Sequence, residues 1–290
     1  MSIKKNSGLL SFLLLSPSLF LIALFLIIPL GFALYVSFFR ADYMQLSRFV
    51  GLGNYISILT DKDIPSYIGR TFFISIIGVI IAIIGGIIFA LWINRENKRL
   101  AFILQIIVLI PWVASMVVTA LLWRWILNND LGILKYLLSL LFGVKELGLL
   151  TNPKIAIYTL IFVMTWRVVG YVMVQALAGL RSINEDLEEA AVIDGANRWN
   201  LFWRIRLPLI STPVIISSII VVMSNINNLI VPLSLTGGGP GKSTMVIAIE
   251  IYRQSFTYYH FGEASALSII LIIINIVFTV LYLKAVQYEL

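Results

Sequence analysis

The 290-residue chain has no cysteine, one histidine, and charge on only 12% of its residues. An ordinary soluble domain is about a quarter charged. The missing cysteines remove disulfides and thiolate metal sites. The lone His260 leaves no histidine cluster for a metal or a proton relay, and its neighbours in the sequence place it in an outer loop. No His, Cys or paired-carboxylate cluster falls within the apolar parts of the chain, so no catalytic or metal-binding residue is expected. Low-complexity tracts, internal repeats and any hydrophilic block large enough for a second domain are also missing. A single membrane domain over residues 1–290 is the expectation.

What the chain does have is apolar length: 60% of residues are hydrophobic and the mean hydropathy is +0.99. Blocks recur at Leu9 to Phe39, Thr71 to Ile93, Ala101 to Ile126, Ile155 to Leu180, Leu209 to Leu235 and Ala264 to Val286. Each exceeds the roughly 20 residues a helix needs to cross about 30 Å of hydrocarbon. In lipid only a helix or a closed barrel satisfies its own backbone, and unbroken runs without period-2 alternation exclude the barrel. The fold class is therefore read as all-α and polytopic, with six transmembrane helices. The first block follows Lys4 and Lys5 as a signal peptide would. It is longer than the ~7–15-residue core of such a peptide and lacks a small-residue cleavage site, so it is read as a retained helix. Pro17 and Pro29 predict a kink there, or a span that starts after Pro17.

The net charge of +7 needs no nucleic-acid partner, because juxtamembrane basic residues sit beside anionic lipid headgroups. With both termini cytoplasmic, Lys4, Lys5, Arg95, Lys98, Arg99, Arg181, Arg198, Arg204, Arg206 and Lys284 fall inside. The outer loops carry as many basic residues but are longer. Density near helix ends thus favours that orientation. Gly51-Leu52-Gly53-Asn54 reads as a turn in the first outer loop, and the polar stretch Asn94 to Leu100 as a short helical-hairpin connection. Trp123-Arg124-Trp125 marks an outer interface, and Ile133 to Phe142, closed by Gly143, an amphipathic surface helix or one packed on its neighbours.

The longest inner loop, residues 181–208, predicts two helices. Ser182 with Glu185 three residues on is a capping-box pattern, Gly195 disfavours continuation, Asn197 can cap a second helix, and Pro208 suits a helix start. On physical grounds alone it is either a partner-binding element or an amphipathic helix wetting the bilayer.

Within the spans Arg167 is the one deep charge, and an intramembrane ionisable residue is by default a pathway candidate. The alternative is a snorkelling arginine or one held by helix carbonyls. Ser224, Asn225, Asn227 and Asn228 cluster in the fifth span, as pathway residues or as interhelical hydrogen-bond formers. Gly237 to Thr244 imitates a phosphate-binding loop. It has Thr236 where the first glycine belongs and no strand before it, so a glycine-rich turn is expected.

Glu189-Ala190-Ala191, then Gly195, Ile205 and Leu207-Pro208 at their spacing, resembles the signature loop of binding-protein-dependent ABC importer permeases. The chain is similar to the carbohydrate branch of that family, which includes the larger maltose permease subunit and the glycerol-3-phosphate permease. Further resemblance lies in Gly51 to Tyr55, Leu122 to Trp125, Gly179-Leu180, Leu235 to Pro240 and Phe261 to Ala264.

The resemblance implies a compact six-helix permease of the type I importer fold in a prokaryotic plasma membrane. It implies a heterodimer with a second, related permease subunit, two ATPase subunits that hold ATP and Mg, and an extracytoplasmic solute-binding protein. It assigns ATPase coupling to Glu189, Ala190, Ala191, Asp194, Gly195, Ile205, Leu207 and Pro208. It also assigns carbohydrate contact to Arg167, Tyr171, Met164, Val168, Ser224, Asn225 and Asn228. Arg167 replaces an apolar residue of the maltose subunit and Met164 a polar one, so maltose itself is not implied; the sharper expectation is that Arg167 contacts the substrate, where a guanidinium suits either an acidic sugar or neutral hydroxyls. The rival class is a self-contained secondary transporter or channel, which usually shows buried carboxylates or broken helices as coupling-ion sites; no Asp or Glu falls clearly inside a span.

Overall fold

Helix is the local structure that lets an unbroken apolar run satisfy its own backbone without neighbours. A computed structural model follows that rule over the residues it describes, 7–43, 45–143 and 146–287. Lys4 and Lys5, used above for orientation, lie outside the described residues. Contacts divide the chain into two units, Met1–Ile64 with Glu250–Ile276, and Pro65–Ile249 with Val277–Leu290.

In the first unit, α1 (Ser7–Ile22), a π-helical stretch (Ala23–Ile27) and α2 (Ile28–Ser37) follow one another as a single rod. The helix runs through Pro17 instead of starting after it, and the π turn falls immediately before Pro29. Proline removes one i→i−4 bond, and a wide π turn locally resets that register, which explains the absence of a sharp break. Next comes an antiparallel hairpin, β1 (Phe39–Asp42) and β2 (Gln45–Phe49), the one sheet among the described residues. Phe39 and Phe49 are register partners with ring centroids 5.3 Å apart, a cross-strand aromatic pair that favours the hairpin.

The Gly51–Tyr55 segment opens α3 (Gly53–Thr60). Buried Asn54 donates from Nδ2 to the carbonyls of Ser37 (2.8 Å) and Phe39 (2.9 Å), and Tyr55 shares a 2.7 Å hydrogen bond with Ser37 Oγ. The Asn54 bonds satisfy the carbonyl of Ser37, which the end of α2 leaves without a helical donor, and that of Phe39 just beyond it, while Tyr55 holds the Ser37 side chain. The segment is thus a knot that closes the first span.

The second unit is built around α8 (Pro153–Arg181), most of whose window is buried. It packs with α4 (Ile64–Asn94), α5 (Lys98–Val113) and α11 (Leu207–Ile226) in a core that includes Ile87, Ile93, Met173, Leu177 and Ile210. On α8, Gly170 permits the closest approach. A Cβ there would lie 2.2 Å from the Val108 carbonyl oxygen, so the backbones of α5 and α8 touch. Around this core lie α6 (Met116–Ile126), α7 (Ile133–Phe142), α9 (Glu185–Ile193), α10 (Arg198–Leu201) and α12 (Ile230–Leu235). Gly143 ends α7 in the left-handed conformation (φ 66°). Finally α13 (Ile247–Phe256) and α14 (Phe261–Gln287) complete the chain.

Among the described residues five helices are long and apolar enough to cross a membrane, and six spans result if the bent pair α5 and α6 forms one. The expected third span, 101–126, is therefore broken. Its halves meet at 97°, with Ala114 and Ser115 extended (ψ 143° and 134°). Pro111 cannot donate to the Ile107 carbonyl, which weakens the last turn of α5.

The expected fifth span, 209–235, is also corrected at both ends. A π turn, Phe202–Arg206, joins α10 to α11 in a continuous apolar helix from Arg198 to Ile226. The wide turn accommodates Pro208, which has no N–H to give. At the other end Asn228 Oδ1 takes the Val231 N–H at 3.0 Å and starts α12. Asparagine side chains compete with the helix for backbone partners, which explains the stop at Ile226.

Candidate functional site

Two groups of residues stand out in the second unit: the loop between α8 and α11, and a polar and aromatic cluster inside the apolar helices.

In the loop, the expected Ser182 and Glu185 capping box is not formed. Helix α8 continues to Arg181, so the Ser182 hydroxyl donates back to the Gly179 carbonyl at 2.8 Å. Asn184 caps α9 instead, accepting the Asp186 N–H at 3.1 Å. Glu185, Asp186 and Glu188 then lie in the first turn, where the positive end of the helix favours them. Gly195 turns the chain with φ 87°, and Asn197 caps α10 by accepting the Asn200 N–H at 2.8 Å.

No residue of α9 is buried. Glu189, Ala190, Asp194, Gly195 and Pro208 are exposed, while Ala191, Ile205 and Leu207 are half-buried. Large apolar side chains stand in solvent beside them, above all Ile193 at 85% exposure and Trp199 at 68%. A solvent-exposed apolar patch with small residues at its centre is the anatomy of a protein-docking surface. One ion pair ties the loop to the fifth span: Arg206 donates to both Glu188 oxygens, at 2.7 and 2.6 Å. The Arg206 guanidinium holds the Glu188 carboxyl below its ordinary range.

The intramembrane cluster grows from the break in the third span. Trp112 is the second-last residue of α5, and its carbonyl's helical donor would be Met116, across the break. Arg167 of α8 supplies a substitute, its guanidinium donating to the Trp112 carbonyl at 3.5 Å and lying 5.3 Å from the centre of the Trp112 ring. Tyr171, one turn further on, stacks on the same ring with centroids 4.6 Å apart. Arg167, Gly170 and Tyr171 therefore present one face of α8 to the end of α5. Asn228 Nδ2 approaches Met116 Sδ at 4.0 Å on the far side of the break.

A second polar junction joins α4, α8 and α11. Thr165 Oγ1 donates to the Gly78 carbonyl at 3.3 Å, and Asn225 Nδ2 lies near the same glycine. Met164 and Val168 are buried on α8, and Ser224 is half-buried on α11. Two buried polar atoms here, Arg167 Nε and Asn225 Nδ2, have no hydrogen-bond partner among the described residues, and on α6 neither has Thr119 Oγ1. Each such group costs about 1–3 kcal/mol unless something outside the chain satisfies it.

The glycine-rich segment before α13 is a turn, as expected. Gly237, Gly238, Gly241 and Lys242 all have positive φ, α12 precedes it, and the Lys242 carbonyl accepts from Arg70 at 2.6 Å.

Residues 82–286 match the family described as binding-protein-dependent transport system inner membrane component. The chain belongs to that family. It is 31% identical to the trehalose/maltose transport system permease protein MalF of Thermococcus litoralis, over 99% of this chain and 97% of the relative. It is 27% identical to the sn-glycerol-3-phosphate transport system permease protein UgpA of Agrobacterium fabrum, over 96% and 95% of the two chains. Its fold is shared with a chain of a bacterial ABC transporter involved in import of the acidic polysaccharide alginate. There the TM-score is 0.83 at 23% identity, covering 99% of this chain and 97% of that one. The protein is thus a multi-pass membrane permease component of a binding-protein-dependent transport system, with the type I importer fold.

Within this inner-membrane family member, the structure adds three residues to those picked out from the sequence: Trp112, Thr119 and Thr165. Trp112 follows Pro111 deep in an apolar block, and that pairing was the available signal. Thr119 and Thr165 carry no such mark, because an isolated threonine in a span is ordinary.

Proposed function

We propose that this chain is one permease subunit of an ATP-driven carbohydrate importer. In this reading it pairs with a second, related subunit and takes substrate from an extracytoplasmic solute-binding protein. The assembly includes two ATPase subunits that hold ATP and Mg, the α9–α10 loop seats on one of them, and both termini lie in the cytoplasm. The observation that carries the reading is the loop itself. Glu189, Ala190, Ala191 and Gly195 sit at the signature spacing on a helix, turn and helix whose apolar face is exposed. Small residues let a partner approach closely, and exposed Ile193 and Trp199 give it apolar area to cover.

Substrate contact is assigned to the intramembrane cluster. Tyr171 offers an aromatic face to a sugar ring, and Ser224, Asn225 and Asn228 donate to and accept from hydroxyls. Met164 and Val168 supply the apolar wall. Arg167 favours an acidic sugar, because a guanidinium forks onto a carboxylate and gains charge as well as hydrogen bonds. Its unpartnered Nε is the donor left for that purpose. The relatives' names include both a neutral disaccharide and an anionic glycerol phosphate as cargo, so charge is the property to test.

The test has two arms. Membranes carrying Ile193→Asp should lose the ATPase subunits on purification, and retention of the ATPase would overturn the docking assignment. Uptake of maltotriose and trigalacturonate by Arg167→Gln should fall for trigalacturonate far more than for maltotriose. Equal uptake of both by mutant and wild type would overturn the contact, and equal loss of both would keep the contact and discard the acidic preference.

A further inference from the structure

Helix α9 has nine residues and no buried face. Short helices without a packed face hold neither their fold nor their angle well. The turn that follows it contains Gly195, a residue with wide backbone freedom, at φ 87°. A push on α9 delivered by a partner would be absorbed by rotation at that turn unless something crossed it.

One contact does cross it. Arg206 Nε donates to Glu188 Oε1 at 2.7 Å, and its terminal nitrogen donates to Oε2 at 2.6 Å. A two-point fork fixes angle as well as distance, which a single lysine contact cannot do. The side chains are only 28% and 19% exposed, so solvent screens the pair incompletely. Arg206 is the last residue of the π turn and is followed directly by Leu207 and Pro208 of α11. The pair therefore joins α9 to the base of the fifth span without passing through Gly195. Neither residue belongs to the signature positions Glu189, Ala190, Ala191, Gly195, Ile205, Leu207 and Pro208.

We propose that Glu188 and Arg206 form the strut that turns displacement of α9 into displacement of α11. They are positioning residues for energy coupling, and the inference rests on the reading that α9 seats on an ATPase. Three consequences follow. Loss of the pair loosens α9 relative to α11; it lowers transport per ATP hydrolysed more than ATP hydrolysis itself; and the defect is repaired by restoring a charge pair of either polarity.

The absence of native cysteine makes the measurement direct. Spin labels on Glu185→Cys, an exposed α9 position outside the proposed docking contacts, and Leu209→Cys report the distance between α9 and α11 in the full complex with its partner permease and ATPase subunits, in nanodiscs. The unmodified pair should give a narrow distance distribution, E188Q a broad one, and the exchange E188R with R206E a narrow one again. R206K should fall between, since it keeps the charge and loses the fork. In proteoliposomes, uptake of maltotriose and trigalacturonate per ATP hydrolysed should fall about tenfold in E188Q and recover in the exchange variant. A distribution for E188Q as narrow as the original, or an exchange variant that recovers neither width nor uptake, overturns the strut. If Ile193→Asp still holds the ATPase, the docking reading fails separately, and the distance widths alone decide whether the pair is mechanical.

Discussion

The loop and the intramembrane cluster solve opposite problems. In the loop most of the residues that carry the signature are exposed, Ala191, Ile205 and Leu207 being half-buried, and in the proposed reading their surface is covered by another chain. In the cluster the residues proposed for sugar contact are mostly buried, and two are held by this chain's own backbone. Arg167 bonds the Trp112 carbonyl and Asn228 starts α12. A docking surface tolerates a loose arrangement until its partner arrives, whereas an intramembrane arginine must be accompanied at all times. The broken third span supplies that company, and the break and the charge sustain each other. Substitutions that separate backbone conformation, close packing and charge show which of these each region depends on.

The largest effect is expected from Gly195→Leu, which should abolish uptake. The reason lies in the backbone and not in space: a Cβ at this position meets nothing within 4 Å, but φ 87° strains any L side chain, by about 1–3 kcal/mol. Gly195→Asn should keep much of the uptake, since asparagine tolerates positive φ better. If Asn and Leu fail equally in a transport assay, then the surface at 195 matters and not its conformation.

Gly170→Ala tests the cluster in the opposite way, through space. Its Cβ would fall 2.2 Å from the Val108 carbonyl oxygen, so α5 must move away from α8. Overpacking of this kind costs about 1–3 kcal/mol. A lower thermal midpoint of the detergent-purified protein, together with weaker uptake, is expected. An unchanged midpoint would show that α5 yields freely there.

A smaller loss follows from Trp112→Leu. It removes the ring beneath Arg167 and the stack with Tyr171 but leaves the backbone carbonyl in place. A cation–π contact contributes about 0.5–2 kcal/mol according to its exposure. Uptake of trigalacturonate should drop several-fold, with maltotriose affected less. Parallel loss of both would assign Trp112 to packing alone.

Much of this was legible in the chain. Apolar length gave the spans, and Gly195 with Asn197 gave the turn and second cap of the loop. The breaks were not legible, because they arise from competition. Pro111 sits inside an apolar run that satisfies every length rule, and only the Trp112 carbonyl, left open at the break and taken by Arg167 fifty-five residues away, shows where the helix yields. Ser182 misled for a similar reason: its spacing to Glu185 fits a cap, but α8 runs to Arg181, directly before Ser182, and the Gly179 carbonyl in its last turn claims the hydroxyl. The hairpin at Phe39 to Phe49 is too short and too mixed in composition to separate from a polar loop. Clustering around Arg167 depended on Trp112, whose carbonyl matters more than its side-chain type.

The smallest effect concerns the pH response of the loop. Arg206 holds the Glu188 carboxyl below its ordinary value of 4.5, so the folded group keeps its charge where the unfolded one has begun to lose it. The stabilisation is fully present above the unfolded pKa and is lost as pH falls through the lower, folded value. Between pH 8 and 5 the loop should therefore not change, and loosening should begin only in more acid solution. The partly exposed position keeps the size to about 1 kcal/mol or less. A spin label at Ile193→Cys should report constant mobility from pH 8 to 5 and rising mobility below that, while E188Q, with nothing to titrate at this site, should be mobile and flat across the same range. Loosening of the unmodified loop already near pH 6 would point to a different titrating group and remove Glu188 as its cause.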